Sequence, residues 1–214
     1  MKFFNVLLSI SLASIVSITT ANAEGYYLGA GFGYNSLSSN YFEDYTANLI
    51  SQNGGSNTAS LTKSVANLRL IGGIKINKQI STELGYFRSG NLGSSYVGTT
   101  SNNSVYSSDW TSTISGFDVS AILRPSTLPK LNNYFINIGM HHYGIHGSGF
   151  HTSGTFVDNI QEKWSGTGPL LGGGYDLKLN KFVDLRFNFT RYFKVGGVHE
   201  DNMNNFSISL IENY

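Results

Sequence analysis

One stretch near the amino terminus decides the fold, and it reads Gly25-Tyr-Tyr-Leu-Gly-Ala-Gly-Phe-Gly-Tyr34. Every second residue from Tyr26 to Tyr34 is apolar or aromatic, and the residues between them are mostly glycine. Successive side chains of a β-strand point to opposite faces, so this alternation predicts a strand with one apolar face and one face of small residues. The glycines alternate with aromatic residues and no helix follows them, which excludes a phosphate-binding loop.

The same alternation recurs along the chain, and an even number of strands results. Strands are predicted at 25–34, 66–76, 80–86, 116–123, 134–141, 171–179, 183–190 and 205–214. Short connections are predicted at 77–79, 125–131 and 180–181, and long ones at 35–64, 89–112, 146–165 and 194–204. Short turns at one end and long loops at the other are typical of an outer-membrane β-barrel.

Composition excludes several classes of protein. Charged residues make up 13% of the 214 residues, about half of the ~25% that is usual in soluble globular chains. Aromatic residues reach 14%, whereas disordered chains are poor in them. The formal net charge of +1 lacks the basic surplus of a nucleic-acid-binding protein. There is no cysteine, so disulfide chemistry is excluded.

The first segment has the features of a secretory signal peptide. Lys2 supplies a basic start, an apolar stretch follows, and Ala21-Asn-Ala23 matches the small-residue pattern of a cleavage site. We therefore predict a cleaved signal peptide at 1–23 and a β-barrel domain at 24–214.

Alternation alone does not say which face is inside, because soluble sandwiches and lipocalin barrels turn their apolar rows inward. Here the polar rows consist of Gly, Ser and Asn with scattered charges, which suits a narrow lumen. Tyrosines near strand ends on the apolar rows suit an aromatic girdle; they are Tyr26, Tyr34, Tyr86, Tyr134 and Tyr175. We predict an all-β, eight-stranded, antiparallel up-and-down transmembrane β-barrel with long extracellular loops and short periplasmic turns.

Several stretches resemble the OmpA-type and OmpX-like family of small outer-membrane barrels. They are the first strand quoted above, Glu83-Leu-Gly-Tyr86, and Gly172-Gly-Gly-Tyr-Asp-Leu-Lys-Leu179 followed by 182–192. The resemblance implies the outer membrane of a Gram-negative bacterium. The terminus 205–214 resembles the signal that the assembly machinery of that membrane reads, carried by Phe206, Ile208, Leu210 and Tyr214, with Glu212 where the family has an apolar residue.

The predicted inward rows carry eight charges, and buried charges must be paired. They are Arg69, Lys75, Glu83, Asp118, Asp176, Lys178, Asp184 and Arg186. With ~2.4 Å of height per tilted residue, Glu83 and Arg186 both lie ~10 Å above the short turns and are predicted to meet across the lumen. The family's lumen carries a similar carboxylate–guanidinium cluster. A static polar core is the favoured interpretation, and an ion gate is the alternative.

No metal or cofactor is predicted. His142 and His146 share a strand face but stand ~13 Å apart, too far for one metal ion. A loop site with His146 and His151 is the alternative, although solvated rim histidines are the simpler interpretation. Ser148, His151 and Asp158 share one predicted loop, but no nucleophile with a positioned base is recognisable, so we do not predict an enzyme.

We predict a structural or surface-interaction protein, an adhesin or surface antigen. Its predicted partners are a lipid bilayer with lipopolysaccharide, the assembly machinery, and host or surface partners reached through the loops. A narrow ion channel and a lipid-A-modifying enzyme are the alternatives. One apolar group in the first long loop is either a contact patch or a cover for the barrel mouth: Tyr41, Phe42, Tyr45, Leu49 and Ile50.

Overall fold

The computed structural model describes residues 24–38, 57–99, 105–125, 131–153, 156–195 and 202–214. The predicted signal peptide and the apolar group of the first long loop lie outside these residues. Ten strands form: β1 Gly25–Ser38, β2 Asn57–Leu61, β3 Ser64–Lys75, β4 Ile80–Ser89, β5 Leu92–Thr99, β6 Val105–Leu123, β7 Tyr134–Ser153, β8 Phe156–Lys178, β9 Val183–Tyr192 and β10 Asn202–Asn213. No helix among the described residues is long and apolar enough to cross a bilayer.

Eight of these strands close into a barrel. Each is antiparallel to its neighbours in the order β1, β3, β4, β6, β7, β8, β9, β10, and β10 returns to β1. The closing ladder runs from Tyr27 opposite Asn213 to Ser38 opposite Asn202. The predicted eight-stranded antiparallel up-and-down barrel is confirmed.

The short strands β2 and β5 lengthen two of the barrel strands. A break at 62–63 separates β2 from β3, and a break at 90–91 separates β4 from β5. β2 pairs with β5, and β5 pairs with β6. Together they continue the sheet beyond the barrel at the end away from the short turns.

Two predicted loops are wrong, because most of 89–112 and 146–165 is paired strand. β6 and β7 remain in register up to Tyr106 opposite Ser153, and β7 and β8 up to Ser153 opposite Phe156. The Ser, Thr, Asn and Gly residues of these segments suggested irregular chain. Strand formation depends more on pairing with neighbours than on such intrinsic preferences, and the long β6–β7–β8 ladder supplies that pairing.

Two short turns owe their geometry to asparagine. The Oδ1 of Asn77 accepts hydrogen bonds from the backbone N–H groups of Gln79 and Ile80, at 2.8 and 2.9 Å. Asn180 Oδ1 does the same for Phe182 and Val183, again at 2.8 and 2.9 Å. Such side-chain bonds to the backbone two and three residues on define tight turns, which explains why β3–β4 and β8–β9 connect so briefly.

The apolar rows face outward and the small or polar rows face the lumen. Phe32 is 69% exposed and Met140 58% exposed, whereas Tyr27 on the other row is 1% exposed. On β7 the outward row is apolar from Tyr134 to Met140 and becomes polar at His142. The outward surface is therefore an apolar band at the short-turn end, below a polar region at the long-hairpin end.

Candidate functional site

An arginine on β3 occupies the middle of the lumen. Arg69 is 1% exposed, and it donates Nη1 to Asp118 Oδ2 at 2.8 Å and Nη2 to Asp118 Oδ1 at 2.9 Å. It also donates to the hydroxyl oxygen of Tyr192 at 2.6 Å, and that hydroxyl donates to Asp118 at 3.1 Å. An arginine that donates two parallel hydrogen bonds to one carboxylate forms a stronger ion pair than one that makes a single contact.

A second arginine lies nearer the short turns. Arg186 donates Nε to Asp176 Oδ1 at 2.7 Å and Nη2 to Asp176 Oδ2 at 3.1 Å. Its Nη1 donates to Glu83 Oε2 at 2.5 Å, and Tyr27 donates its hydroxyl to the same oxygen at 3.0 Å. Glu83 Oε1 lies 3.7 Å from Arg69 Nη2, so this carboxylate links the two arginines.

The ionic network has equal numbers of opposite charges. Arg124 joins it by donating Nη2 to Asp176 Oδ2 at 2.7 Å. The network therefore consists of three arginines and three carboxylates: Arg69, Arg124, Arg186, Glu83, Asp118 and Asp176. Two aromatic rings lie beside Arg186, with ring centres 5.4 Å away for Tyr27 and 4.8 Å away for Phe135. Buried charges are tolerable only when they are paired and hydrogen-bonded, and this arrangement meets that requirement.

The structure brings together five of the eight charged residues predicted for the lumen: Arg69, Glu83, Asp118, Asp176 and Arg186. Lys75 and Asp184 share a different partner, Asn213, whose Oδ1 accepts from Lys75 at 2.7 Å and whose Nδ2 donates to Asp184 at 3.0 Å. Lys178 is exposed. The predicted network is thus divided into a central part and a group at the short-turn mouth.

Sequence reasoning missed three members of the network. Arg124 continues the inward spacing of Asp118 and Ser120, but it follows the last residue of β6 and lay beyond the predicted strand. Tyr27 and Tyr192 were passed over as aromatic residues, although Tyr27 stands on the glycine row of the first strand. A large hydroxyl-bearing side chain on a row of glycines was the available signal.

Above the ionic network, the lumen is filled by apolar side chains. Phe87 and Tyr192 are each 1% exposed and their rings lie 5.1 Å apart, and Met203 is fully buried. The cluster, called the apolar plug below, consists of Val65, Phe87, Leu92, Ile114, Tyr143, Ile145, Leu170, Tyr192, Val195 and Met203. The sequence did not predict it, because the inward rows were assigned mainly to small and polar residues.

Below the network, the short-turn end opens into a vestibule. This cavity has a volume of about 580 Å³ and reaches inward as far as Tyr27, Asp176 and Arg186. Its lining includes Lys75 and Lys78. Solvent at the short-turn end therefore meets the ionic network directly, and the apolar plug closes the other side.

The alternative histidine and serine groups form no site among the residues that the structure describes. His142 Nδ1 lies 3.0 Å from Thr167 Oγ1 on the outer surface, and no cluster of three or more His, Asp or Glu able to hold a metal occurs among the described residues. Ser148 lies opposite Gln161, three positions from Asp158 on β8. An odd spacing puts Ser148 and Asp158 on opposite faces of the sheet. The side chain of His151 lies outside the described part of the structure.

Comparison with protein families now identifies the barrel. The model of the OmpA-like transmembrane domain matches residues 21–212. The chain belongs to this family. It is therefore an outer-membrane protein of Gram-negative bacteria, with its short turns in the periplasm and its long hairpins outside. Comparison with curated protein sequences gave no significant match.

Solved structures of small outer-membrane barrels are similar in fold. Ail, the attachment invasion locus protein of Yersinia pestis, is 10% identical with a TM-score of 0.49, and the match covers 89% of this chain and 99% of Ail. The amino-terminal barrel of Pseudomonas aeruginosa OprF is 10% identical with a TM-score of 0.45, covering 88% and 98%. OprG of the same organism is 10% identical with a TM-score of 0.45, covering 90% and 97%.

The residues of the predicted assembly signal lie on the outward row of β10. Phe206 is 49% exposed, Leu210 55% and Tyr214 55%, while Ile208 is half-buried. Tyr214 stacks on Tyr26 of β1 with ring centres 4.9 Å apart. Recognition of this row by the assembly machinery stays a prediction.

Proposed function

We propose that the protein is a non-conducting barrel that acts at the cell surface through its projecting hairpins. The filled lumen carries this proposal. An ion crossing from the periplasm would first have to part Arg186 from Glu83 or Arg69 from Asp118. Breaking a buried pair costs about 3–5 kcal/mol when a charge is left uncompensated. It would then have to pass the apolar plug, whose ten members offer only the hydroxyl groups of Tyr143 and Tyr192 in exchange for its hydration shell.

The hairpins supply the surface for interaction. β7 continues from His142, where its outward row becomes polar, to Ser153. At ~2.4 Å of height per tilted residue, the hairpin tip stands roughly 25 Å above the apolar band. We infer that this region reaches lipopolysaccharide and the partners beyond it, on a host cell or on a neighbouring surface, and that it carries no enzymatic activity.

A narrow channel is the second candidate, and one observation favours it. Glu83 contacts Arg186 and also lies 3.7 Å from Arg69, so it has an alternative cation within reach. The vestibule reaches Tyr27 and Arg186, which both donate hydrogen bonds to this carboxylate. A switch of Glu83 between the two arginines would be the gating movement.

Planar-bilayer recording separates the two candidates. Purified, refolded protein is expected to give no unitary conductance events, while a general porin in the same bilayers serves as the positive control. The variant Glu83→Gln weakens the ion pairs without removing the apolar plug and is expected to stay silent as well. Unitary events from the wild-type protein that change with Glu83→Gln would establish the channel and refute the non-conducting barrel.

The orientation of the hairpins can be checked on intact cells. An epitope tag inserted between residues 154 and 155 is expected to bind its antibody on unbroken cells, because the β7–β8 tip lies outside. The same tag inserted between Asn180 and Lys181, in a periplasmic turn, is the matched control and is expected to bind only after the outer membrane is permeabilised. The reverse pattern of labelling would show that the hairpins are periplasmic.

A further inference from the structure

The vestibule at the short-turn end is a pocket with a closed inner end. Its volume of about 580 Å³ lies within the range of roughly 300–1,000 Å³ that is typical of small-molecule sites. Tyr27, Asp176 and Arg186 line its inner end, and the apolar plug fills the lumen beyond the ionic network. The barrel wall separates this pocket from the lipid, so an occupant has to arrive from the periplasm.

The arginines that line the inner part of the vestibule are already engaged. Arg186 donates two hydrogen bonds to Asp176, and Arg124 donates one to the same carboxylate at 2.7 Å. Both guanidinium groups also lie beside the ring of Phe135, 5.7 Å from its centre for Arg124 and 4.8 Å for Arg186. These contacts fix the inner wall and balance its charges. The cations that remain available to a ligand are therefore those nearer the opening.

Three lysines line the vestibule nearer its opening, and they come from opposite walls of the barrel. Lys75 ends β3 and Lys178 ends β8, two strands that stand four places apart in the ring of eight. Lys78 lies in the turn after β3. Lys75 Nζ donates to Asn213 Oδ1 at 2.7 Å, but none of the three lysines has a carboxylate oxygen within 4 Å among the described residues. Positive charge from both walls thus surrounds one pocket.

The rest of the lining indicates what the ligand must carry. Outside the ionic network there are two carboxylates, Glu24 and Asp184, against the three lysines. Asp184 Oδ2 accepts a hydrogen bond from the amide of Asn213 at 3.0 Å. The surplus of lysine favours an anionic ligand. Amide side chains, which can hydrogen-bond hydroxyl groups, complete the lining: Gln79, Asn132 and Asn133.

The type of cation distinguishes phosphate from carboxylate. A planar carboxylate is matched best by the two parallel donors of an arginine, and the arginines here are bound to Asp176. A lysine ammonium is a compact charge with three donors on a flexible stem. Ammonium groups that approach from opposite walls suit a tetrahedral phosphate, whose oxygens point in several directions.

We propose that the vestibule binds a phosphate monoester of a small hydroxyl-bearing molecule, such as a sugar phosphate, from the periplasm. The phosphate group lies between Lys75 and Lys178, and the amide side chains contact the hydroxyl groups. This site is at the opposite end of the barrel from the hairpins, so it goes beyond the surface role proposed above and does not depend on it.

The test uses glucose 6-phosphate and the full barrel refolded in micelles of an uncharged detergent without a sugar headgroup. Isothermal titration calorimetry is expected to show saturable binding of one molecule per barrel. Glucuronate, which carries a carboxylate on the same kind of ring, is expected to bind at least tenfold more weakly. Glucose lacks the charge and is expected to give no saturable heat.

Two lysine variants locate the site. Lys178→Met removes an exposed cation from the lining and is expected to weaken binding of glucose 6-phosphate about fivefold, the upper range for a contact between solvent-exposed charges. Lys181→Met makes the same change three residues away, where Lys181 Nζ lies 4.8 Å from the ring centre of Phe182 and outside the vestibule lining. It is expected to leave binding unchanged. A heat-dependent gel mobility shift checks that both variants are folded.

Four results would overturn the proposal. Absence of saturable binding of glucose 6-phosphate would remove the site, and equal affinity for glucose would show that charge plays no part. Equal affinity for glucuronate would refute the choice of phosphate over carboxylate. Equal weakening by Lys178→Met and Lys181→Met would indicate general attraction to a basic rim. None of these results concerns the hairpins, so the proposed surface role stands or falls separately.

Discussion

Arg69→Met is expected to lower the free energy of unfolding of the barrel by about 3–5 kcal/mol, because it leaves Asp118 buried without its cation. Asp118 is 1% exposed and takes two hydrogen bonds from Arg69. Methionine fills much of the same volume, so the loss reports the missing charge rather than a large cavity. Reversible urea unfolding in lipid vesicles, followed by the heat-dependent gel shift, measures it.

Arg88→Met is the matched control for this variant. Arg88 is exposed on the outward row of β4, the strand beside β3, and an exposed substitution of this kind changes stability by about 0.5 kcal/mol or less. The double variant Arg69→Met, Asp118→Leu is expected to regain part of the loss, since removing both partners of a buried pair is often close to neutral. Equal stability of Arg69→Met and wild-type protein would show that the ionic network is not needed for the fold.

Gly85→Ala is expected to destabilise the barrel by about 2 kcal/mol, within the 1–3 kcal/mol typical of overpacking. A Cβ on Gly85 would lie 2.6 Å from Asp118 Oδ1 and 2.7 Å from Arg69 Nη2. Neither group can move away without weakening the bonds of the central ion pair. The lumen thus needs a glycine here to make room for Arg69 and Asp118.

The outward glycine of the neighbouring strand provides the comparison. A Cβ on Gly72 would meet only Leu28 Cδ2, at 3.6 Å, which is an ordinary contact. Gly72→Ala is therefore expected to be neutral or slightly stabilising, since alanine restricts the unfolded chain. The two alanine variants are compared in the same urea titration. A loss of stability in Gly72→Ala as large as in Gly85→Ala would contradict the assignment of these two residues to opposite faces.

Much of the fold could be predicted from the sequence, because a period of two fixes which residues share a face. Phe32 and Met140 were correctly placed outward and Arg69 inward. The heights of Glu83 and Arg186 above the short turns followed from residue counts and strand tilt, and the two side chains do contact each other. These inferences needed only local spacing and the geometry of a closed barrel.

The remaining features depend on contacts that no local pattern encodes. Arg124 reaches Asp176 from beyond the end of its strand, so the contact depends on how the chain leaves β6. The apolar plug depends on which inward side chains of different strands come to the same height, as Phe87 and Tyr192 do. The length of β8 depends on the ladder with β7, and its polar residues gave no sign of that ladder.

The pairing of β1 with β10 has a consequence for biogenesis. The ladder from Tyr27 opposite Asn213 to Ser38 opposite Asn202 joins the earliest and latest strands of the chain. During translocation, a nascent chain that still lacks β10 would leave the backbone groups along one side of β1 unpaired. Strands exposed in this way are prone to aggregate. Cylinder formation must therefore await delivery of β10, and the preceding strands have to be kept soluble in the periplasm until it arrives.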